Sequence, residues 1–431
     1  MVRSARIHRL TKEAARFGTT AGAVELDWPA VVRRQHDIVK ESQPLPASLA
    51  HAGAEVVLGE ARFSDPHTIA VNGSALWGEK IIIGAGSTPV MPAVPGLDAA
   101  ITSDEILFLP VFPARLVIVG AGAIGLEMAG AFSDFGSNVT VIGQESEILP
   151  AFDPDVAGYV RKILESRGIM FHLGATLTGF SGTWGGVTTH FTHHGEARAL
   201  TADQACLAVG RRWKPDTLGA ERLGLEMGHL GLKVNPYLRT SVAHIYAAGD
   251  AAGNTQLTPV AAYEGRLAAR NALEGDRMTT DERIVPQAIF TTPEVAKVGL
   301  THREVEASSV RCHVATHDMR GASNGRATGE DDGYLKLVFD AADERLLGVQ
   351  MVSYAAAELI QMAAMAIRSG MTADALAAQI SVHPSQTERF IKIAGHDHHE
   401  LCQVPERHRH GAEAGPAAPT TPQNRGLSRS A

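Results

Sequence analysis

The sequence predicts an α/β chain with two doubly wound parallel-sheet units, the first incomplete on its N-terminal side, followed by an α+β domain. Three observations carry that expectation. A buried-strand run, Leu116–Val119, leads through Gly120, Gly122 and Gly125 into a helical stretch and then a second apolar run, Val139–Ile142. Strand, glycine turn, helix and strand thus arrive in the order of a βαβ unit. A strand followed by a small-residue turn occurs twice more, at Lys80–Ser87 (with Gly84, Ala85, Gly86 and Ser87) and at Cys206–Arg212 (with Gly210). From about Ile284 the pattern changes to apolar–polar alternation, at Phe290–Gly299 and Gly333–Phe339, as antiparallel strands require.

The glycine turn says what such a unit is built to hold. In G-x-G-x-x-G, Gly120 permits the tight turn and Gly122 lets a pyrophosphate approach the backbone. Gly125 lets helix and strand pack closely, and Ala123 and Ile124 fill the positions between. The unit is therefore read as Rossmann-like and dinucleotide-binding. Its second strand ends at Gly143-Gln144, with Gly143 standing where an acid for the ribose hydroxyls is expected. Glu145 comes two positions late and no arginine is adjacent, so NAD and NADP both stay open.

Bulk properties narrow the class further. At 431 residues the chain has room for two or three domains. A formal net charge of -8, with basic residues scattered, excludes a general nucleic-acid binder. No apolar run is long enough to span a membrane, and no signal-peptide core opens the chain, so a cytoplasmic enzyme without membrane contact is expected. Cys206, Cys312 and Cys402 are far apart and form neither a metal-type pair nor a disulfide framework.

Taken in order, Met1 to Phe17 has a helical period closed by Gly18, with no cap residue or preceding strand at its start. A second helix opens at Asp27 as cap, with Pro29 in its first turn. Short strands are expected at Glu55–Leu58, Thr68–Val71 and Lys80–Ile83, and a helix from Asp155 to Gly168. The run Thr240–Asp250 reads as a strand ending in Gly249-Asp250, which places one carboxylate at a sheet's C-terminal edge, where ligands of open α/β sheets bind. Leu257, Thr258, Pro259 and Val260 open the stretch that follows. Leu359, Met362, Ala363 and Ala366 share one face of a helix ended by Gly370, and Thr372 can cap the next. Beyond His396 the composition predicts a disordered tail, and its His396, His398, His399, Cys402, His408 and His410 follow no metal-ligand spacing.

With these residues assembled, the chain resembles the class I pyridine nucleotide–disulfide oxidoreductases, a family that includes glutathione reductase, dihydrolipoyl dehydrogenase and mercuric reductase. The resemblance runs from Met1 to about Gly395 and rests on Gly120–Gly125, Ile83–Ser87, Tyr246–Asp250 and His383-Pro-Ser-Gln-Thr-Glu388. It implies an FAD-binding domain in two parts (1–105, truncated, and 236–280), an NAD(P)-binding domain (106–235), a dimerisation domain (281–395) and the tail (396–431). It further implies that Asp250 holds the flavin's ribityl chain, that the Leu257–Val260 backbone faces the isoalloxazine ring, and that Glu127 lies in the nicotinamide pocket. His383, oriented by Glu388, would be the acid–base that protonates a leaving thiolate, reaching across a homodimer interface. The implied reaction passes electrons from nicotinamide to flavin, then to an upstream cysteine pair and on to a small disulfide.

Two departures stand against a full match. Family members open with their own flavin-binding strand and G-x-G-x-x-G, followed by a C-x-x-x-x-C redox pair, and this sequence has neither. Its first helix resembles the one that follows the redox cysteines, so the expectation is a start site placed too late. Ala123 also stands where many relatives carry a bulky tyrosine over the nicotinamide. The alternatives are a truncated, inactive nucleotide-binding dimer, or a flavoenzyme of the mercuric reductase or diaphorase kind. The former needs no redox pair; the mercuric branch carries a C-terminal cysteine pair, where here Cys402 stands alone.

Overall fold

The fold is described from a computed structural model over residues 1–42, 45–281, 283–395 and 400–401. Helix α1 (Val2–Lys12) buries Ala5 and His8, and a separate 3-10 turn, Ala14–Phe17, ends at Gly18 with φ 72°. The continuous helix expected over Met1–Phe17 is thus broken at Glu13. Helix α2 (Trp28–Glu41) starts as expected: the Asp27 carboxylate accepts the Ala30 amide at 2.9 Å. Trp28, 4 % exposed, packs its ring against Phe112, Phe132 and Phe135 and donates to the Leu109 carbonyl at 2.8 Å. After α3 (Leu45–His51) the expected strand Glu55–Leu58 has no sheet partner among the described residues, and Leu58 is 74 % exposed. Strands β1 (Ala61–Asp65), β2 (Thr68–Val71) and β3 (Ser74–Trp77) form an antiparallel meander, followed by β4 (Ile81–Ile83) and β5 (Thr88–Pro89).

The central unit is the most regular part of the chain. It runs β6 (Ile101–Thr102), β7 (Arg115–Val119), α4 (Ala123–Phe135), β8 (Asn138–Ile142), α5 (Pro154–Ser166) and β9 (Met170–His172). An antiparallel meander of β10 (Ala175–Ser181), β11 (Val187–His193) and β12 (Glu196–Ala202) comes before β13 (Gln204–Leu207). The parallel sheet has the order β6-β13-β7-β8-β9. Leu116 to Val119 are all buried because α4 covers one face and the meander the other, which is why the run carries no polar alternation. Strand β14 (Arg211–Arg212) then crosses back to pair antiparallel with β5. Strand β15 (Ile245–Ala247) lies parallel to β4 and leads to α6 (Thr258–Glu274). Among the described residues the parallel pairing of this first unit is β4 with β15, bridged on its other side by Arg239 to Tyr246, as suits a Rossmann-like unit that is incomplete.

The C-terminal domain is the expected α+β layer. Its strands are β16 (Gln287–Ile289), β17 (Glu294–Gly299), β18 (Cys312–Asp318), β19 (Tyr334–Asp340) and β20 (Leu346–Ser353), with α7 (His302–Glu306) and α8 (Ser323–Thr328) in the connections. Helices α9 (Ala356–Arg368), α10 (Ala373–Ala377) and α11 (Gln386–Ala394) share its core. Residues Glu400–Leu401 add a last strand, β21, so the antiparallel order is β16-β17-β20-β19-β18-β21. The tail expected to be disordered from 396 is corrected at those two residues, which pair with β18; 396–399 and 402–431 lie outside the described residues, and so do the tail histidines and Cys402.

One buried polar cluster joins the central sheet to this domain. Asp153, 1 % exposed, stands just before α5, but its carboxylate leaves that helix and accepts the His302 and Arg303 amides at the start of α7 (3.0 and 3.1 Å). Lys336 of β19 reaches it at 3.0 Å and Asp155 at 2.8 Å, and the Gln350 side chain both donates to the Asp153 carboxylate and accepts its amide. Every polar atom of a buried ion pair must find partners for the pair to be tolerated, and this one has them.

Candidate functional site

At the glycine turn the structure shows why each glycine is there. Gly120 has φ 121°, and a Cβ on it would overlap the Ala208 carbonyl. A Cβ on Gly125 would overlap the carbonyl oxygen of Gly120, so the start of α4 sits directly on the end of β7. Gly122, by contrast, has nothing within 4 Å of a built Cβ, which leaves open space over the backbone. It is the N-cap of α4 and no side chain caps that helix, so the amides of Ala123 and Ile124 remain for a ligand, with the positive end of the helix dipole behind them. These features fit a pyrophosphate.

The ribose end differs from the simplest acid-bearing site. Gly143 is buried, and a Cβ there would come 2.8 Å from the Leu173 side chain and 3.0 Å from that of Ala121, so a side chain at this position would have to displace Leu173. Gln144 and Glu145 are exposed beside it. Glu127, the fifth residue of α4, accepts the Phe290 amide at 2.8 Å; burial pushes its carboxyl above the usual range.

On the other side, the turn Gly84–Ser87 leaves β4 and Gly249-Asp250 leaves β15, and the parallel pairing of these strands brings the two turns together. Ser87 Oγ donates to Asp250 Oδ2 at 2.6 Å. Gly249, φ 66°, donates its amide at 2.6 Å to Glu264, a carboxylate with no exposed surface, on α6. Helix α6 begins at Thr258 with Leu257 as N-cap and no side-chain cap; Thr258 and Pro259 are exposed and Val260 is buried. Gly210, φ 110°, accepts the Val90 amide and so joins β14 to the same place. This set fits the ribityl and ring edge of a flavin. A second pyrophosphate-binding glycine turn is not among the described residues. Glu264 and Arg211 were not singled out from the sequence: Arg211 directly follows Gly210, but nothing local gives either side chain its distant partner.

His383 and Glu388 are brought together by a helix start. Ser385 is the N-cap of α11 and its hydroxyl accepts the Glu388 amide at 3.1 Å, so Glu388 turns back toward the residue before Pro384. His383 Nδ1 lies 2.8 Å from Glu388 Oε2. A carboxylate can only accept, so Nδ1 carries the proton and Nε2 is left to gain or lose one. Lys392 engages the other oxygen, and it and then His383 hold the Glu388 carboxyl down at about 2. The His383 side chain is 67 % exposed while that of Glu388 is 8 % exposed, so the anchor is inside and the imidazole outside.

Cys206 is no exchanging thiol: it is buried in β13, and burial, with Glu105 nearby, pushes it up to about 12.

Comparison with known proteins accords with this geometry. Residues 10–265 match the pyridine nucleotide-disulphide oxidoreductase family and residues 285–394 match its dimerisation domain. The chain belongs to this family. It is 32 % identical over 392 residues to a glutathione reductase of Burkholderia cepacia, covering 89 % of this chain and 85 % of that one. With a dihydrolipoyl dehydrogenase of Chlorobaculum tepidum it shares 32 % over 405 residues, 91 % of this chain and 86 % of the relative. A mercuric reductase of Bacillus cereus is 31 % identical over 86 % of this chain, which spans only 60 % of that relative's length. Among solved structures, the HOCl-induced flavoprotein disulfide reductase RclA of Escherichia coli superposes with a TM-score of 0.80 at 28 % identity, over 91 % of this chain and 87 % of that one. The family's members are FAD- and NAD(P)-dependent oxidoreductases of the flavoprotein disulfide reductase type, and this chain carries their two nucleotide-binding folds and dimerisation domain. No helix among the described residues is long and apolar enough to cross a membrane.

Proposed function

We propose that the chain acts as an NAD(P)H-dependent reductase of a small disulfide, working as a homodimer in the cytoplasm. The observation that carries this reading is the His383–Glu388 pair: an outward imidazole fixed in one tautomer by a buried carboxylate held well below the usual carboxyl range. That is what proton transfer to a leaving thiolate needs. Met365, Ile380 and Val382, 71, 100 and 77 % exposed, lie in the same domain and suit a subunit interface that brings His383 to the partner's site. The domain division 1–105, 106–235, 236–280 and 281–395 goes with this reading.

In the reaction, a hydride from nicotinamide and one proton reduce a disulfide to two thiols, and bound FAD supplies the two-electron relay between them. The residues present have separate tasks. Gly120, Gly122, Ala123, Ile124 and Gly125 receive the nicotinamide pyrophosphate, and Gly143 and Gln144 border its ribose. Glu127 lines the nicotinamide pocket. Gly84, Ala85, Gly86, Ser87, Gly210, Gly249, Asp250, Leu257, Thr258, Pro259 and Val260 border the flavin, with Asp250 taking a ribityl hydroxyl. His383 Nε2 delivers the proton, and Glu388 stabilises the imidazolium before delivery.

The test uses the full chain in excess FAD, without oxygen. NADH or NADPH should bleach the flavin in wild type and in His383→Gln alike, while turnover of lipoamide or glutathione disulfide falls about 10²–10⁴-fold in the variant. Wild-type flavin that stays oxidised would favour the inactive nucleotide-binding dimer, for which the two-stranded β4–β15 sheet speaks. Equal disulfide turnover in both proteins would remove His383 from the reaction.

A further inference from the structure

Asp250 does not stand alone beside the flavin position. Ser87 Oγ, which donates to its Oδ2 at 2.6 Å, itself receives the Arg211 Nε proton at 3.0 Å. A second guanidinium nitrogen, Nη2, donates to the Ser87 carbonyl at 2.9 Å, and the third, Nη1, pairs with Asp104. The antiparallel register of β14 on β5, Arg211 opposite Pro89, sets the guanidinium there from the main chain. Two segments, each more than 100 positions before Arg211, thus meet on its side chain.

The direction of this chain of bonds follows from the donors. A guanidinium has protons to give and no acceptor. Ser87 Oγ must accept from Arg211, so its single proton goes to Asp250 Oδ2. One carboxylate oxygen is then fixed and Oδ1 has no partner among the described residues. From this geometry we infer that Arg211 is a positioning residue for flavin binding: through Ser87 it holds the Asp250 carboxylate in the one orientation that offers Oδ1 to a ribityl hydroxyl. Asp104 balances the guanidinium charge, so the arginine does not draw the Asp250 carboxylate toward itself. The inference rests on the flavin reading of Asp250 given above.

The experiment measures FAD and NADH affinity of the full chain by titration calorimetry, together with its melting temperature. Removing a hydrogen bond that orients a charged group should weaken FAD about tenfold or more in Ser87→Ala and in Arg211→Ala. NADH affinity should stay within about twofold, and Ser87→Thr, which keeps the hydroxyl, should restore most of the FAD affinity. Unchanged FAD affinity in Ser87→Ala, or parallel loss of FAD affinity, NADH affinity and melting temperature in Arg211→Ala with no rescue by Ser87→Thr, would reduce Arg211 to a clamp between strands and overturn the inference. A wild-type chain that takes up NADH but no FAD at any concentration overturns the flavin reading itself, and the positioning role falls with it.

Discussion

Glu388 shows how one carboxylate can serve two purposes. Its carboxyl is depressed to about 2 by Lys392 and His383, so it remains an anion at any pH at which the imidazole works. A depressed carboxyl stabilises the fold fully above its ordinary value of 4.5, and that contribution is lost as pH falls through about 2. Melting curves between those limits should therefore fall more steeply in wild type than in Glu388→Gln, and the two slopes should agree above the upper limit. The pair was legible in the sequence through the family resemblance, because a spacing of five brings two side chains together only where the Pro384 turn bends them toward each other. The Arg211–Ser87 contact was not, since its partners lie 124 positions apart and nothing local marks either as the other's neighbour.

At the scale of elements, the junction of α5 with β19 and β20 depends on charges kept from water. Burial alone would raise the Asp153 carboxyl, but Lys336 and the amides of Arg303 and His302 outweigh it and leave it below the usual range. Replacing Lys336 with methionine leaves a buried anion without its cation, which costs about 3–5 kcal/mol. Urea unfolding of Lys336→Met should show that loss, and Asp153→Asn combined with it should recover a large part. Elements whose reason for existing is local were readable: β7, α4 and β8 from an apolar run and its glycines, and α2 from Asp27. Elements that depend on a distant partner were not. Glu55–Leu58 has strand-forming residues but no neighbour among the described residues to pair with, and Glu400–Leu401 has tail-like surroundings yet finds β18.

Across the whole molecule, the two nucleotide sites are unequally supported. The central sheet has five parallel strands and both faces covered, whereas β4 pairs with β15 alone among the described residues, the other side of β15 is bridged only by Leu238–Thr240, and Ile82 is 41 % exposed. Purified as residues 1–431, the protein should bind NADH or NADPH in a single well-defined event and FAD more weakly by about tenfold or more, since each backbone group left unpaired in a buried strand costs about 1–3 kcal/mol. A stoichiometric yellow protein that survives gel filtration would contradict this. The buried Asp153–Lys336 junction also ties the central sheet to the C-terminal layer. Swivelling the central sheet against the C-terminal layer would strip Asp153 of a lysine, a glutamine and two amides at once. The two are therefore tied to move as one piece rather than about a hinge at that junction.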